Sequence, residues 1–281
     1  MNSMHNKTVI ETIKENYDQI FWAEKRVADF ILENPEVAVN ANVSELANKS
    51  GVSDATVIRF CKHIGYEGYY QMKLCLSRDL GRMQVSDTGS ENAAKDKVSS
   101  LFHSYAAELM AIGKKLDEAK LLECANLITG CKQVHIVAVG NTSPLAQYMG
   151  FRLGRLGVKC TYHMVPEYFM NHVNLADADD IIVAISQSGT SKQVVQAMEL
   201  AKEKGLKTIA ITGHEYSPVS RLADYLLLSS AEEQSFNYYK SYSRLREIAV
   251  IDVLLHFVTN QETIAANKAD MPEIILSEYK L

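Results

Sequence analysis

The sequence predicts a helical helix-turn-helix unit followed by an α/β unit with a five-stranded, parallel, doubly wound sheet, and three observations carry this. Apolar residues recur at spacings of three and four from Thr8 to about Leu80, the period of an amphipathic helix. Beyond residue 97, five short β-branched runs alternate with helical stretches. Between these regions, residues 81–96 are polar and lack apolar periodicity, as an interdomain linker does. The expected domains are therefore 1–80, a linker 81–96, and 97–281.

The 281 residues, 47% hydrophobic and 22% charged, suffice for two unequal cores. No run approaches the roughly 20 apolar residues of a membrane span. The start, with Asn2, His5, Asn6 and Lys7, lacks a signal-peptide core, so no membrane partner and a cytoplasmic location are expected. The five cysteines, Cys61, Cys75, Cys124, Cys131 and Cys160, are odd in number and form no CxxC pair, so they read as reduced thiols. His63 beside Cys61 lacks further ligands nearby, and neither a metal nor a cofactor is expected.

In the first unit the apolar faces are Val9, Ile13 and Tyr17, then Val27, Phe30 and Ile31. Pro35 closes the second helix, because the residue before proline resists the α region, and a short loop follows. Val43 to Phe60 then has helix-turn-helix spacing. Ser44 caps a short helix, Ala47 is small where a second helix crosses, Gly51 supplies a left-handed terminus, and Val52 plugs the turn. Ser53 caps the second helix with Asp54 at its positive end, and Val57 and Phe60 face inward against Leu46. That leaves Ala55, Thr56, Arg59, Lys62 and His63 outward.

A helix entering the major groove reads base edges from its N-terminal side chains while Lys and Arg hold phosphates. The candidate DNA contacts are Ser53, Ala55, Thr56, Arg59, Lys62 and Lys73, with Thr56 and Arg59 as readers. The alternative is a small helical domain whose Arg59 and Lys62 form a solvated face. Net charge is −5, and residues 1–80 hold nine Lys and Arg against eleven Asp and Glu, so any DNA binding rests on a local basic face. Gly65 to Tyr69 turns the chain into a further helix bearing Met72, Leu76 and Leu80.

The strand runs are Val134–Val139, Lys159–Tyr162, Ile181–Ser186, Lys207–Thr212 and Tyr225–Leu228. Ile181 to Ile185 is apolar without alternation, as a strand covered on both faces must be. Ligands of such sheets sit beyond the carboxyl ends of the strands. Gly140-Asn-Thr-Ser143 follows the first strand, and Ser186-Gln-Ser-Gly-Thr-Ser191 follows the third. Clustered hydroxyls, backbone N–H groups and a helix N-terminus suit one phosphate monoester, and no Walker-type lysine follows to hold a triphosphate. Either loop alone also reads as a plain strand-to-helix turn. If the first and third strands are neighbours, both loops face one crevice.

Together these residues resemble the RpiR/MurR family of bacterial regulators over nearly the whole chain. The resemblance is carried by Ala28 to Pro35, Ser44-Glu-Leu-Ala47, Gly51 to Lys62 and Gly65-Tyr-Glu-Gly-Tyr69. Ile185 to Thr190, Ala201 to Gly205, Ile209 to Thr212 and Ser217 to Asp224 resemble a sugar isomerase (SIS) domain, whose members bind phosphosugars as enzymes or as sensors. The resemblance implies that Ser186, Ser188 and Ser191 hold the phosphate with Gln187 and Thr190 nearby. The first loop departs from the family's Gly-x-Gly-x-Ser, with Ala138 for a glycine and Thr142 for a serine, which leaves the contacts of Asn141, Thr142 and Ser143 less defined.

An isomerase needs an acid/base pair at the sugar, for which His163, Glu167, Glu232, Glu233 and Lys240 are available. His163 can equally be a plain loop histidine, and Glu232 and Glu233 a solvated helix start. His163 and Lys240 are expected to grip sugar substituents without chemistry, as a sensor requires. The resemblance then implies a transcription regulator acting on double-stranded operator DNA, with a phosphosugar effector. The effector leans to an N-acetylhexosamine 6-phosphate such as N-acetylmannosamine 6-phosphate. A last long helix, from about Tyr238 to Thr259, carries Arg244 and Asp252 as a structural or subunit pair. Its apolar residues Ile248, Val250, Ile251, Leu254, Leu255 and Phe257 cover more than one face, which suggests burial against the sheet and a partner subunit. A homodimer or dimer of dimers is expected, since two copies read a palindromic site.

Overall fold

The computed structural model describes residues 7–87, 97–230 and 244–261, with the side chains of 81–87 and 97 undescribed. The chain divides into two compact units, the first reaching Ser104 and the second beginning at Tyr105. The expected linker 81–96 is helical as far as Asp87, and its remainder lies outside the described residues.

The first unit is helical: α1 (Val9–Asn16), α2 (Trp22–Glu33), α3 (Pro35–Asn40), α4 (Val43–Lys49), α5 (Asp54–His63) and α6 (Tyr69–Asp87). Val9, Ile13, Val27, Ile31, Leu46, Val57, Phe60, Met72 and Leu76 form one buried cluster, so the three-and-four spacing does mark the inward faces. The loop expected after Pro35 is instead α3. Proline there is the first helical residue, where its missing N–H has no helical partner to lose, so it ends α2 and begins the next turn. The cap of α4 is Asn42, not Ser44: Asn42 Oδ1 accepts the Glu45 N–H at 2.9 Å, and Glu45 Oε2 accepts the Asn42 N–H at 2.9 Å. Ser44, the second residue of α4, is buried and donates to Asp54 Oδ2 at 2.5 Å, tying α4 to α5.

Gly51 takes φ +62° after α4. Its N–H reaches Asn48 O at 2.9 Å and the Val52 N–H reaches Ala47 O at 2.8 Å, the paired bonds of a Schellman ending. A Cβ on Gly51 would meet only the movable guanidinium of Arg26, so it is the left-handed φ that favours glycine in the turn between the two helices.

Before the sheet come α7 (Lys97–Lys115) and α8 (Glu118–Gly130). In chain order there follow β1 (Val134–Val137), α9 (Ser143–Arg155), β2 (Cys160–Tyr162), α10 (Pro166–Asn174), β3 (Ile181–Ile185) and α11 (Lys192–Glu203). The unit closes with β4 (Lys207–Thr212), α12 (Pro218–Leu222), β5 (Tyr225–Leu228) and α13 (Leu245–Thr259). All pairings are parallel and the sheet order is β2-β1-β3-β4-β5.

Alternate residues of the strands face opposite helix layers. Ile181, Val183 and Ile185 pack in one cluster with Met149 of α9, Ile128 of α8 and Leu254 of α13; Ile182 and Ala184 pack in the other with Val173 of α10, Met198 of α11 and Val219 of α12. Covering on both faces explains why β3 is apolar throughout. Asp252 on α13 accepts from Tyr148 OH at 2.5 Å, with Arg152 Nη1 3.5 Å away, so its partners within the chain come from α9. Burial pushes the Cys61 and Cys124 thiols up to about 12. Among the described residues no helix is long and apolar enough to cross a membrane.

Candidate functional site

The sheet order changes direction between β1 and β3: the chain leaves β1 to one side for β2 and returns on the other for β3. The loops beyond the carboxyl ends of these neighbours diverge and leave a crevice, the usual ligand position in doubly wound folds. Both hydroxyl loops expected from the sequence therefore follow the carboxyl ends of neighbouring strands. Their backbones are tied directly, since the Thr142 hydroxyl reaches Ile185 O at 3.1 Å and Val139 O at 2.9 Å.

The loop after β3 is a tight turn closed by the Gly189 N–H on Ser186 O at 3.0 Å. Ser186 is 1% exposed, Gln187 is buried, and Ser188, Thr190 and Ser191 are half-buried. Ser186 Oγ donates to Ser191 Oγ at 3.3 Å, and Ser188 Oγ accepts the Thr190 hydroxyl at 3.0 Å. Ser191 precedes α11 without capping it through its side chain. The first-turn N–H groups of a helix have no partner within it, and the linked hydroxyls precede those of α11 at the positive end of the helix dipole.

Residues outside the expected set hold this turn. Gly189 has φ +64°, and a Cβ on it would lie 2.1 Å from Ser217 Oγ, 2.4 Å from Ser217 Cβ and 3.1 Å from Thr212 Oγ1. Ser217 is itself fixed by a capping box with Ser220 at the start of α12. A Gly189→Ala chain combines left-handed strain with that clash, so it should lose about 2 kcal/mol of stability or more. A thermal midpoint equal to the wild type's would show that the turn does not depend on this close approach.

On the β1 side, Asn141 is exposed whereas Thr142 and Ser143 are buried. The proton of Thr142 goes to carbonyl oxygens, which makes this residue a brace between the two loops. Ser143, at the start of α9, lines a cleft of about 190 Å³ with Gln147, Tyr162, His163 and Met164. Ser143 and His163, 20 residues apart in sequence, line this same cleft. Gln147 and Tyr162 were not foreseen, although Gln147 lies one helical turn after Ser143 and so shares its face. The His163 ring stacks on His172 at 5.0 Å and 2° and on Tyr168 at 5.5 Å. Burial, with the charges of His163 and His135, holds His172 below the ordinary histidine pKa. Lys240, Glu232 and Glu233 lie outside the described residues.

In the first unit, Ala55, Ile58, Arg59 and Lys62 are exposed at i, i+3, i+4 and i+7, one stripe along α5. Ile58 is 40% exposed and was overlooked because an apolar residue in a helix normally reads as core. Two expected DNA contacts are corrected. Thr56 is buried, its N–H donating to Ser53 Oγ at 3.3 Å and its hydroxyl 3.0 Å from the same atom, so both residues serve the cap of α5 and Thr56 is not an outward reader. Lys73 is buried, and its ammonium donates to Ala41 O at 2.5 Å at the end of α3, so it does not face a phosphate. Burial lowers its pKa to about 8. Glu24 of α2, which no motif marks, holds Arg59 and His63.

A helix-turn-helix unit followed by a doubly wound α/β domain defines a transcription regulator with a sugar-isomerase-type domain. The chain belongs to the rpiR family: that family's helix-turn-helix domain matches residues 7–82, and a SIS domain matches residues 127–257. An uncharacterized HTH-type transcriptional regulator of Caldanaerobacter subterraneus is 29% identical over 90% of this chain and 91% of its own length. The HTH-type transcriptional regulator HexR of Pseudomonas aeruginosa is 28% identical over 90% of each chain. The Vibrio vulnificus NanR protein, solved complexed with ManNAc-6P, superposes with a TM-score of 0.84 at 22% identity, covering 97% of this chain and 99% of its own, and shares the fold.

Proposed function

We propose that this regulator binds a phosphosugar in the crevice between β1 and β3 and that the bound sugar changes how α5 engages double-stranded operator DNA. The observation that carries the reading is the pairing of β1 with β3, which joins two hydroxyl loops and two helix N-termini at one place. In this reading Ser186, Gln187, Ser188, Thr190 and Ser191 surround the phosphate. Asn141, Ser143, His163 and Lys240 meet the sugar, with Thr142 as the brace, and Ser53, Ala55, Arg59 and Lys62 face DNA. The reading unit spans 1–80 and the sensing unit 97–281, joined through 81–96.

The effector class we favour is an N-acetylhexosamine 6-phosphate, a choice supported by ManNAc-6P in the NanR complex and by the polar set around His163. The protein acts without turning its ligand over, as the regulator names of its relatives suggest, and works in the cytoplasm as a homodimer or a dimer of dimers. Ligand controls DNA binding only through a difference in its affinity for two arrangements of the chain.

A thermal-shift screen over hexose, N-acetylhexosamine and pentose phosphates is the direct test. N-acetylmannosamine 6-phosphate should raise the midpoint most, since a ligand at about 100 times its Kd adds about 2.7 kcal/mol to the folded state. No shift with any phosphosugar would overturn the sensing half. The second reading, a phosphosugar isomerase, keeps Glu167, which is exposed in the first turn of α10, as a candidate base near His163. NMR of the bound sugar would show interconversion at enzymatic rates if that reading held.

A further inference from the structure

Glu24 lies in α2, outside the helix-turn-helix, and it is a carboxylate with no exposed surface. Oε1 accepts from Arg59 Nε at 3.1 Å, and Oε2 lies 2.9 Å from His63 Nδ1 and accepts the Phe21 N–H at 3.1 Å. Burial alone would raise its pKa, but the bonds from His63, the Phe21 N–H and Arg59 outweigh burial and hold it below the ordinary glutamate range. The Phe21 ring sits 5.6 Å from the His63 ring and packs beside the pair.

Capping alone does not require this arrangement. Glu11 performs the same reciprocal cap on α1 from an exposed position, with no second helix involved. A carboxylate withdrawn from water must be matched by charged or polar partners, and those of Glu24 beyond its own cap are two side chains of α5. Arg59 remains 61% exposed, and its terminal guanidinium nitrogens make no hydrogen bond among the described residues.

We propose that Glu24 is a positioning residue for base recognition: it clamps Nε of Arg59 and so presents the guanidinium fork to the O6 and N7 edge of a guanine in the major groove. This rests on α5 being the DNA reader. An arginine that only neutralises phosphate tolerates many rotamers, whereas two parallel hydrogen bonds to guanine need one plane, and a fork already held there loses less freedom on binding. His63 holds the second oxygen, so the carboxylate cannot rotate away from Arg59.

The test uses the full chain and a pool of random duplexes about 30 base pairs long, enough for two half-sites one helical turn apart. The wild type should select a site in which replacing one guanine weakens binding about tenfold or more. Arg59→Lys should flatten preference at that base pair. Glu24→Gln should flatten the same position several-fold while leaving the other positions and phosphosugar binding as they were. Placed in the Arg59→Lys chain, Glu24→Gln should add no further loss, because the two act through one contact.

Unchanged discrimination by Glu24→Gln, or a uniform loss at all positions that adds to that of Arg59→Lys, overturns the proposal and leaves Glu24 as a cap of α2. If Glu24→Gln does not fold, Glu24→Asp decides the matter on the same criteria, since it keeps the charge but withdraws it from Arg59 by one methylene. A folded wild type that selects no site removes α5 as the reader, and the proposal falls with it.

Discussion

Replacing Ser186 and Ser188 together with alanine should raise the dissociation constant for a hexose 6-phosphate by about 10²- to 10³-fold in calorimetry. A hydrogen bond to a charged group is worth about 1.5–3 kcal/mol; toward the lower end of that range two hydroxyls together supply roughly 3–4 kcal/mol, and each 1.4 kcal/mol is a factor of ten. Ser186 is the more sensitive of the two, because it is 1% exposed and its oxygen is linked to Ser191 at the start of α11. The double variant should keep its fold. The Ser186 N–H bond to Ile211 O and the Gly189 N–H bond to Ser186 O are made by backbone atoms, which the substitution leaves in place. Retention of operator DNA without sugar should also persist, whereas its response to sugar should vanish. Full binding by the double variant would move the phosphate elsewhere.

The second large effect is expected from Arg59→Ala, which should abolish a gel shift on operator DNA while leaving phosphosugar affinity intact. A bidentate arginine contributes about 1–3 kcal/mol of discrimination per contact, and two reading heads of a dimer double that. The loss should be about 100-fold or more. Net charge of −5 sharpens the expectation, since little general attraction to DNA remains to hide the loss of one cation from the α5 face. The same substitution leaves buried Glu24 with His63 and the Phe21 N–H alone, so a modest fall in thermal midpoint should accompany the lost shift. Unchanged retention by a folded Arg59→Ala chain would remove this helix as the reader.

Much of the fold was legible because its signals are local. All five strand runs are strands, with β1 ending at Val137, short of the expected Val139, where the chain turns into the loop over Gly140–Thr142. The Gly51 ending, the Ser53 cap and the inward faces of Val57 and Phe60 were likewise readable from residue type and helical spacing. The misreadings share one physical source. Thr56 and Lys73 are polar residues that are buried, and Ile58 is an apolar residue that is exposed; polarity reports average preference, while exposure depends on which neighbouring helix covers the position. Pro35 was read as a stop when it also starts a turn, a choice set by the chain that follows.

By itself the sequence determined element types, their order, and a hydroxyl-rich turn after an apolar strand, because these depend on neighbours within about four residues along the chain. Only the tertiary structure decided that β1 lies beside β3, so that Thr142 of the Gly140–Ser143 loop reaches the end of β3 at Ile185 O. It alone showed that Gly189 faces Ser217, and that Glu24 meets Arg59 across a separation of 35 residues. Such contacts arise when helices and strands bury their apolar faces against one another, and the packing then selects which polar groups are left to pair.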